Sequence, residues 1–489
     1  MGRRWACALC AAAAILHAVS YLRAGPVDDD FIVYRFARNL VEGRGLVYNL
    51  GERVEGFSSP LHLLLCASAI RLGIPPWSAS QWTSILASGV AAAAVAAAWF
   101  HSRPTARWPI PGVLVAASPA IAYHSAAGLG TTIAAALLAV WGCLLTDEER
   151  HPRRSVLAAL VLGLACLARA ELLLFAVPYA LRRKTGRRAT LLVFVPLAGW
   201  TLFRLAYYGS LLPVTYHVKK LPFLVDLGYG WRYLVRATEM TGIGLVVVLA
   251  AAFLLPTRKS SPALRACALG VAVYTLFVVY VGGDYMSFAR FFVPILPLGY
   301  WLGSEAVSAL VANSRIRVAL AALVPLGFQW PQAERRDVFR YHEQNEERWI
   351  QVGKGLPDST SPDQSIATSA IGAVGYFSER RIVDMLGMTN DSVWRTAPNL
   401  SVEMKGHHRC DAPWVLAQKP DVVLIGAGLM LESGSSIPAF TYERGILDSD
   451  EFRSTYHSRV MEIPGSYALI FFQRRDSPVL KGSHPIERR

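Results

Sequence analysis

Charged residues are scarce in this chain. Of its 489 residues 17% are charged, whereas a soluble protein carries about 25%. Hydrophobic residues make up 53%, and the mean hydropathy is +0.33. This excess lies in apolar blocks, many of them near the ~20 residues that cross a bilayer as a helix. The composition therefore excludes a wholly soluble protein and indicates a polytopic helical membrane protein with a more polar C-terminal part.

Cysteine is also sparse, and it shows no pairing pattern. Six of the seven cysteines lie in apolar stretches, where cysteine behaves as a small hydrophobic residue. Only Cys410 lies in the polar C-terminal part, which therefore has no internal disulfide. No spacing of Cys and His has the pattern of a zinc site. The chain also shows no internal repeat and no long low-complexity segment.

Positive charge exceeds negative charge, and the net charge is +14. The basic residues form short clusters between apolar blocks, which anionic lipid and the basic bias of cytoplasmic loops explain. We therefore expect the lipid bilayer as a partner and no nucleic acid. The clusters are Arg3–Arg4, Arg103 with Arg107, Arg150 with Arg153 and Arg154, Arg182–Arg188, Arg258 with Lys259 and Arg265, and Arg315 with Arg317.

The six clusters predict a topology. If all of them face the cytoplasm, an even number of crossings separates each from the next, and about eleven apolar segments satisfy this condition. The segment from Leu61 to Leu72 is too short to span and is expected to be an interfacial helix. We predict a multi-pass membrane protein with a cytoplasmic N-terminus. The spans are 5–22, 77–100, 109–124, 131–146, 156–169, 171–181, 189–206, 241–256, 266–281, 291–311 and 317–330.

Residues 331–489 have a different texture. Short β-prone runs, SIATSAIGAVGYF, RIVDML, PDVVLIGAG and SYALIFFQRR, are separated by proline, glycine and charged turns. Between them, Asn345–Gly355 and Trp414–Gln418 have helical character. The sequence predicts a membrane module over 1–330, whose first outer loop is 23–76, followed by a small extracytoplasmic α/β domain over 331–489.

The first outer loop opens with three acids, Asp28, Asp29 and Asp30. Acids beside a membrane span are costly to desolvate and are candidates for function. Alternatively, they cap a helix that begins near Phe31. Their oxygens could also bind a divalent cation such as Mg²⁺ or Mn²⁺, although carboxylates alone do not require one.

Two further outer connections place an acid near an arginine. Arg169 and Glu171 lie between apolar helices, where they either contact a polar ligand in an aqueous cavity or neutralise each other as a packing contact. Asp284 and Arg290 lie at the boundary of a predicted span. This aspartate could hold a substrate hydroxyl and the arginine a phosphate, or the two could form an ion pair that closes the top of a helix.

The outer loop YYGSLLPVTYHVKK, from Tyr207 to Lys220, mixes aromatic and basic residues. Aromatic faces stack on sugars and lysine neutralises phosphate, so Tyr208, His217 and Lys219 are candidates for substrate binding. The alternative is an interfacial belt of tyrosines with snorkelling lysines. A single histidine is weak support for a catalytic base or a metal ligand.

Together these segments resemble the GT-C glycosyltransferases that use polyprenyl-phosphate sugars, above all the arabinofuranosyltransferases that cap mycobacterial arabinan and their relatives that glycosylate pilin. The family pattern in the first outer loop reads like DDAFI–x–x–RYARNL–x–x–G–x–GLV–x–NPGERVEGFTNPLW. Here the loop reads DDDFIVYRFARNLVEGRGLVYNLGERVEGFSSPLH. Asp28 and Asp29 match the acid pair, and Asn49, Glu55 and Gly56 follow in register.

Later motifs extend the resemblance over nearly the whole chain. Arg169–Glu171 is similar to an Arg-Pro-Glu element, Tyr208–Lys219 to YYG–x–x–x–P–N–T–x–x–x–K, and Gly282–Arg290 to GGDWM–x–x–x–R. The stretch TSAIGAVGYFSERRIVDMLGMTN also fits the family.

The chain departs from the family pattern at three positions. Asp30 stands where the family has a small residue. The sequence GLGTT replaces a GLET-like element, so an acid common there is missing at Gly130, and Val214 replaces an asparagine. These departures could alter the choice of donor.

The resemblance implies an all-α GT-C bundle of about eleven transmembrane helices with a small C-terminal α/β domain. It implies an inverting transferase of the bacterial inner (plasma) membrane. The enzyme would move a sugar, arabinofuranose in the first place and mannose in the second, from polyprenyl phosphate to an envelope polysaccharide, glycolipid or protein on the outer side. Asp28 is the expected base and Asp29 orients sugar or acceptor, although the sequence does not separate the two. The residues expected to bind phosphate and sugar hydroxyls are Lys219, Arg290, Glu171 and Asp284.

Two other classes of protein remain as alternatives. A flippase or transporter of lipid-linked sugars would explain a polar cavity in a helical bundle, but the sequence shows no matching halves of the kind common in transporters. A non-catalytic envelope scaffold would not need several charged motifs on one face. The convergence of Asp28, Glu171 and Asp284 on one outer cavity would distinguish an enzyme from a scaffold.

Overall fold

The computed structural model describes residues 2–147, 151, 154–182, 187–253, 260–311, 332–398, 405–427, 443–463 and 467–486. Within these ranges the N-terminal part is helical, and the strands lie in the C-terminal part. The predicted class, a helical bundle followed by a small α/β region, is confirmed.

Apolar, alanine-rich stretches form the N-terminal helices. Proline begins several of them, because it lacks the N–H that a helix start leaves unpaired. Ser261 caps one helix by accepting the N–H of Leu264 at 3.2 Å. The helices are Arg3–Val19, Leu22–Ala24, Asp28–Val41, Pro60–Arg71, Pro76–Ser102, Ile110–Ala117, Pro119–Ala127, Thr131–Asp147, Arg154–Ala168, Ala170–Phe175, Ala176–Ala180, Arg187–Tyr208, Val214–Lys219, Phe223–Thr241, Ile243–Phe253, Pro262–Tyr280, Ser287–Ile295 and Leu296–Leu310.

Three helices within the described ranges are long and apolar enough to cross a membrane, and the number rises to five if each of two bent pairs forms one span. The other predicted spans that the structure describes are shorter helices, and the predicted span 317–330 lies outside the described residues. The topology of about eleven spans therefore stays a prediction. A helix, Pro60–Arg71, occupies the segment predicted to be interfacial.

The described residues of the C-terminal part form a mixed six-stranded sheet. Its order is β2-β1-β3-β5-β4-β6. Strand β1 pairs in parallel with β2 and β3, and the remaining pairs are antiparallel. All four residues of β1 are buried, as expected for a central parallel strand. The strands are β1 (Ser365–Thr368), β2 (Arg381–Asp384), β3 (Val422–Val423), β4 (Tyr456–Ile463), β5 (Tyr467–Arg474) and β6 (Ser483–Pro485).

Helices surround this sheet. The predicted helices of the C-terminal part are confirmed as Glu347–Ser359 and Ala412–Ala417. The prediction of β structure across 365–377 is wrong in its second half, where Ile371–Ser378 is a helix. The helices are Gln332–Tyr341, His342–Glu346, Glu347–Ser359, Ile371–Ser378, Val393–Thr396, Ala412–Ala417, Ile425–Ala427, Arg444–Leu447 and Asp450–Thr455.

The helix Ile371–Ser378 docks on the first outer loop, and this contact explains its glycines. It packs along the helix Asp28–Val41, where the rings of Phe31 and Phe377 lie 5.3 Å apart. Gly372 approaches this helix so closely that a Cβ there would collide with the backbone oxygen of Asp28. Only glycine permits such an approach of two backbones.

Replacing Gly372 with alanine should loosen this docking. The new Cβ would meet backbone rather than a flexible side chain, so one helix must shift, and we expect a loss of about 1–3 kcal/mol in the free energy of unfolding. Thermal unfolding of the detergent-purified protein measures this loss. Gly445→Ala is the matched control, because its Cβ would meet the Cβ of Ala412 at 3.6 Å, an ordinary contact. Equal melting temperatures for the two variants would contradict the close docking.

Candidate functional site

Arg290 is the centre of the candidate site. Its Nε donates to Oδ2 of Asp284 at 2.5 Å, and its Nη1 lies 3.5 Å from Oδ2 of Asp29. Arg290 and Asp284 are buried, whereas 29% of the Asp29 side chain is exposed. A buried guanidinium needs carboxylates to compensate its charge. One arginine thus joins Asp29 of the first outer loop to Asp284 of the segment Val281–Arg290, called the GGD element below.

The backbone before Arg290 is strained. Phe288 and Ala289 have φ angles of 55° and 53°, in the left-handed region that side chains seldom adopt. Phe288 is buried, and its ring packs against Tyr21 and Tyr123 with centroids 6.1 and 5.2 Å away. This packing holds the turn that directs Arg290 towards the two acids, and such strain persists only where the surroundings enforce it.

Arg169 and Glu171 lie beside this cluster. Nε of Arg169 donates to Oε1 of Glu171 at 2.6 Å. The guanidinium groups of Arg169 and Arg290 lie over the same ring, that of Phe291, at 5.0 and 5.6 Å from its centroid. The structure therefore brings the Arg–x–Glu motif next to the GGD element, with a self-neutralising pair at the edge of the site.

Lys219 is the third cation of the cluster. Burial and the charge of Arg290 lower its pKa, while Asp29 and Asp284 act in the opposite direction. Burial alone would raise the pKa of Asp284, but Arg290 and Lys219 outweigh it and hold that pKa below its ordinary value. The cluster therefore combines three cations with acids in a poorly solvated place, where an added anion interacts strongly with the cations.

Asp28 and Asp29 have different surroundings. The carboxylate of Asp28 accepts the N–H groups of Gly372 and Ala373 at 3.0 and 2.7 Å, at the start of a helix of the C-terminal part. Burial raises the pKa of Asp28 to about 7 against these two hydrogen bonds. Asp28 therefore acts as a helix cap that docks the C-terminal part, whereas Asp29 faces Arg290.

Four other predicted residues make contacts outside the Arg290 cluster: Asn49, Glu55, Tyr208 and His217. The side chain of Asn49 exchanges two hydrogen bonds with the backbone of Ile382 in β2, at 2.8 and 3.1 Å. Glu55 is buried and accepts from Nη2 of Arg204 at 3.2 Å and from Trp200 at 3.1 Å. Both residues hold the first outer loop in place.

Tyr208 and His217 belong to the loop that carries Lys219. The hydroxyl of Tyr208 donates to the backbone oxygen of Leu46 at 2.7 Å. The ring of His217 stacks on Trp394 of the C-terminal part, with centroids 4.4 Å apart and planes at 17°. These contacts favour a role in fixing the loop over direct contact with a substrate.

Two residues of the C-terminal part contact the site and are not among those predicted from the sequence. The ring of His407 meets that of Tyr285 edge-on at 5.2 Å, and burial lowers its pKa. Glu346 accepts a hydrogen bond from the backbone N–H of Asp28, and burial raises its pKa. The basic, histidine-rich run at 405–409 is a visible signal for the first, whereas the sequence around Glu346 carries none.

Two departures from the family pattern meet at His62. Oδ1 of Asp30 lies 3.7 Å from Nε2 of His62, and both side chains are buried. Burial raises the pKa of Asp30 to about 6. Burial opposes protonation of His62, but Cys66 and Asp30 outweigh it and raise the pKa of this histidine to about 10. A Cβ on Gly130, whose φ is +69°, would lie 2.9 Å from the same imidazole ring.

The divalent cation that the sequence allows stays a prediction. In the described part of the chain, no group of three or more His, Cys, Asp or Glu side chains is arranged to hold a metal ion. Asp29 and Asp284 both face Arg290, whose positive charge disfavours a cation between them. We therefore derive no step through a cation.

Two curated relatives are similar to this chain, and both are named terminal β-(1→2)-arabinofuranosyltransferase. The protein of Corynebacterium glutamicum is 28% identical over 326 residues, which cover 55% of this chain and 46% of the relative. The protein of Mycobacterium tuberculosis is 28% identical over 220 residues, which cover 40% and 35%. The chain thus spans less than half the length of the curated relatives it matches. Residues 335–478 match a family described as a domain of unknown function, DUF8728.

Solved structures decide the fold. ArnT from Cupriavidus metallidurans in the apo state has a TM-score of 0.53 and 12% identity, covering 78% of this chain and 86% of that chain. Its complex with undecaprenyl phosphate has a TM-score of 0.50 and 12% identity, covering 76% and 84%. The chain has the GT-C fold. The resemblance to GT-C arabinofuranosyltransferases predicted from the first outer loop is confirmed. In this fold the first outer loop, the loop that carries Lys219 and the GGD element meet at Arg290.

Proposed function

We propose that this GT-C protein transfers a sugar from a polyprenyl phosphate to an acceptor of the cell envelope on the outer side of the membrane. The observation that carries the proposal is the position of Arg290 between Asp29 and Asp284. It places an acid that can take a proton beside cations that can hold a phosphate. The relatives are named for arabinofuranosyl transfer, so arabinofuranose is the sugar that we propose.

Asp29 is the base in this proposal. The sequence favoured Asp28, but both oxygens of Asp28 accept backbone N–H groups of the C-terminal part. Asp29 takes the proton of the acceptor hydroxyl while that oxygen attacks the anomeric carbon of the donor sugar. The bond from that carbon to the phosphate oxygen breaks on the opposite face, and polyprenyl phosphate leaves with the electron pair. A single displacement of this kind inverts the anomeric centre.

Arg290 and Lys219 hold the departing phosphate in this proposal, because fixed cations stabilise charge that develops in the transition state. Arg290 uses Nε and Nη1 on the two aspartates, and its guanidinium carries further N–H donors. Asp284 accepts from both Arg290 and the backbone N–H of Tyr285, so it orients the arginine. Glu171 is left to contact a sugar hydroxyl. The complex of ArnT with undecaprenyl phosphate supports a lipid-phosphate donor.

A transfer assay tests the function. The detergent-purified protein is incubated with radiolabelled polyprenyl-phosphate arabinofuranose or mannose and with a lysate of the source organism, which supplies polysaccharide, glycolipid and protein acceptors. We expect label from the arabinofuranosyl donor in envelope material. Transfer from the mannosyl donor alone would make the protein a mannosyltransferase. A flippase would instead move the donor across the membrane of vesicles that contain the protein, without consuming it.

The two aspartates should respond differently to amidation. Asp29→Asn should lower turnover at least ~100-fold, the usual scale for loss of a general base, with little change in melting temperature. Asp28→Asn replaces one of the two oxygens that accept helix N–H groups with an amide NH2 group that cannot accept, so it should lower the melting temperature and reduce turnover less. Turnover and thermal unfolding are measured on the same preparations. The opposite ranking would return the base role to Asp28.

Adjacent lysines provide a matched pair for the phosphate site. Lys219 lies in the cluster, whereas Lys220 is exposed. Lys219→Ala should raise the donor KM at least ~10-fold, since charge-assisted contacts to a poorly solvated phosphate are strong. Lys220→Ala should leave the donor KM near that of the parent, because exposed charges contribute little. Equal donor KM values in the two variants would remove Lys219 from the phosphate site.

A further inference from the structure

A buried ion pair lies where the C-terminal part meets two loops of the site. Nζ of Lys405 donates to Oδ1 of Asp226 and to the backbone oxygen of Val281. Both side chains are only 8% exposed. The second oxygen of Asp226 accepts the backbone N–H of Leu221 at 3.1 Å. Buried charges are stable only when several partners satisfy them. We therefore expect the ion pair and its backbone contacts to keep one geometry.

Each backbone contact of this pair fixes one loop of the site. Leu221 lies two residues after Lys219. Its N–H donates to Asp226 and so holds the end of the loop that carries Lys219, called the lysine loop below. Val281 begins the GGD element, so the bond from Lys405 holds the start of the segment that leads to Asp284. The pair therefore determines how far apart the two loops lie.

The surrounding glycines show how closely the groups approach. Gly282 has a φ of +81°, and a Cβ there would collide with the ammonium group of Lys405. Gly406 has a φ of +89°, and a Cβ there would lie 3.8 Å from Cγ and Cε of Lys219. The backbone next to Lys405 thus covers the Lys219 side chain, and the GGD element leaves room for the ion pair only because glycine stands at 282.

We propose that Lys405 and Asp226 are positioning residues for the phosphate site, through which the C-terminal part sets the separation of Lys219 and Arg290. This inference rests on the proposed function, in which those two cations hold the donor phosphate. Neither member of the pair touches the substrate; Asp226 acts through the lysine loop and Lys405 through the GGD element. The C-terminal part then contributes to donor affinity without supplying a phosphate ligand.

Loss of the pair should act on donor affinity before turnover. Lys405→Met and Asp226→Asn should each raise the donor KM at least ~10-fold, because displacements of about 1 Å at a binding constellation are costly. The kcat at saturating donor should fall less than the affinity. The double variant should match the single variants, since residues in one network are not additive.

A second ion pair, in which the acid is buried and the arginine is 29% exposed, provides the control. Nε of Arg103 donates to Oε2 of Glu305 at 2.7 Å, and the acid is 5% exposed. These residues belong to the predicted cytoplasmic side. Arg103→Met should lower the melting temperature while the donor KM stays at the parent value. If Lys405→Met gives the same pattern as Arg103→Met, the Lys405 pair is merely structural and the inference is overturned.

Binding of undecaprenyl phosphate provides a readout without turnover. Its affinity is measured by tryptophan fluorescence on the full chain, for the parent and for Asp226→Glu. This variant keeps the charge and moves the carboxylate by one methylene, so it tests the inference if Lys405→Met does not fold. We expect a weaker affinity, and an affinity equal to that of the parent would overturn the positioning role. A parent that binds the lipid phosphate but transfers no sugar would defeat the proposed function, and the binding comparison would still decide the role of the pair.

Discussion

The buried charge of Arg290 is the constraint on which the rest of the site depends. A guanidinium withdrawn from water needs compensating carboxylates, and here they come from Asp284 and Asp29. Because these acids lie in segments far apart in the chain, satisfying one arginine also fixes the first outer loop against the GGD element. The same constraint places the cation beside Asp29, whose side chain is 29% exposed. Structural compensation and anion binding are therefore two consequences of one arrangement.

The C-terminal part belongs to this arrangement. Asp28 caps one of its helices, and Arg35 of the first outer loop donates to the backbone oxygens of Gly375 and Arg380 at 2.6 and 2.8 Å. In the other direction, Lys405 of the C-terminal part donates to the backbone oxygen of Val281 in the membrane module. Because polar groups at such a boundary are costly to leave unpaired, the contacts favour one relative position of the two parts. Residues far from the chemistry can thus change the geometry of the phosphate site.

The sequence predicted the convergence of motifs better than the role of each residue. Hydropathy predicted the helical class. The motifs of the first outer loop, of the loop Tyr207–Lys220 and of the GGD element named Asp29, Lys219, Asp284 and Arg290, whose roles stay predictions. They could not separate Asp28 from Asp29, because adjacent residues on a helix point in directions that only the docked C-terminal part reveals. For the same reason Asn49 and Glu55 matched the family pattern, yet they make structural contacts. The sequence of the helix Ile371–Ser378 predicted a strand, because the glycines that permit its close packing have a low helix propensity.

The departures from the family pattern show the same dependence on tertiary contacts. Along the sequence Asp30 and Gly130 are separate departures from the family pattern. Position 30 gains an acid, and position 130 lacks the acid that is common there. In the fold both face His62, whose ring lies in the space that a side chain at 130 would need. Asp30 in turn compensates the charge that burial would otherwise make costly for this histidine. The two departures are therefore one local rearrangement, in which the acid approaches from the first-loop helix that also carries Asp29. Asp30 lies next to Asp29, the proposed base. The departure at position 30 therefore alters the surroundings of the base, while the acid pair Asp28 and Asp29 is retained.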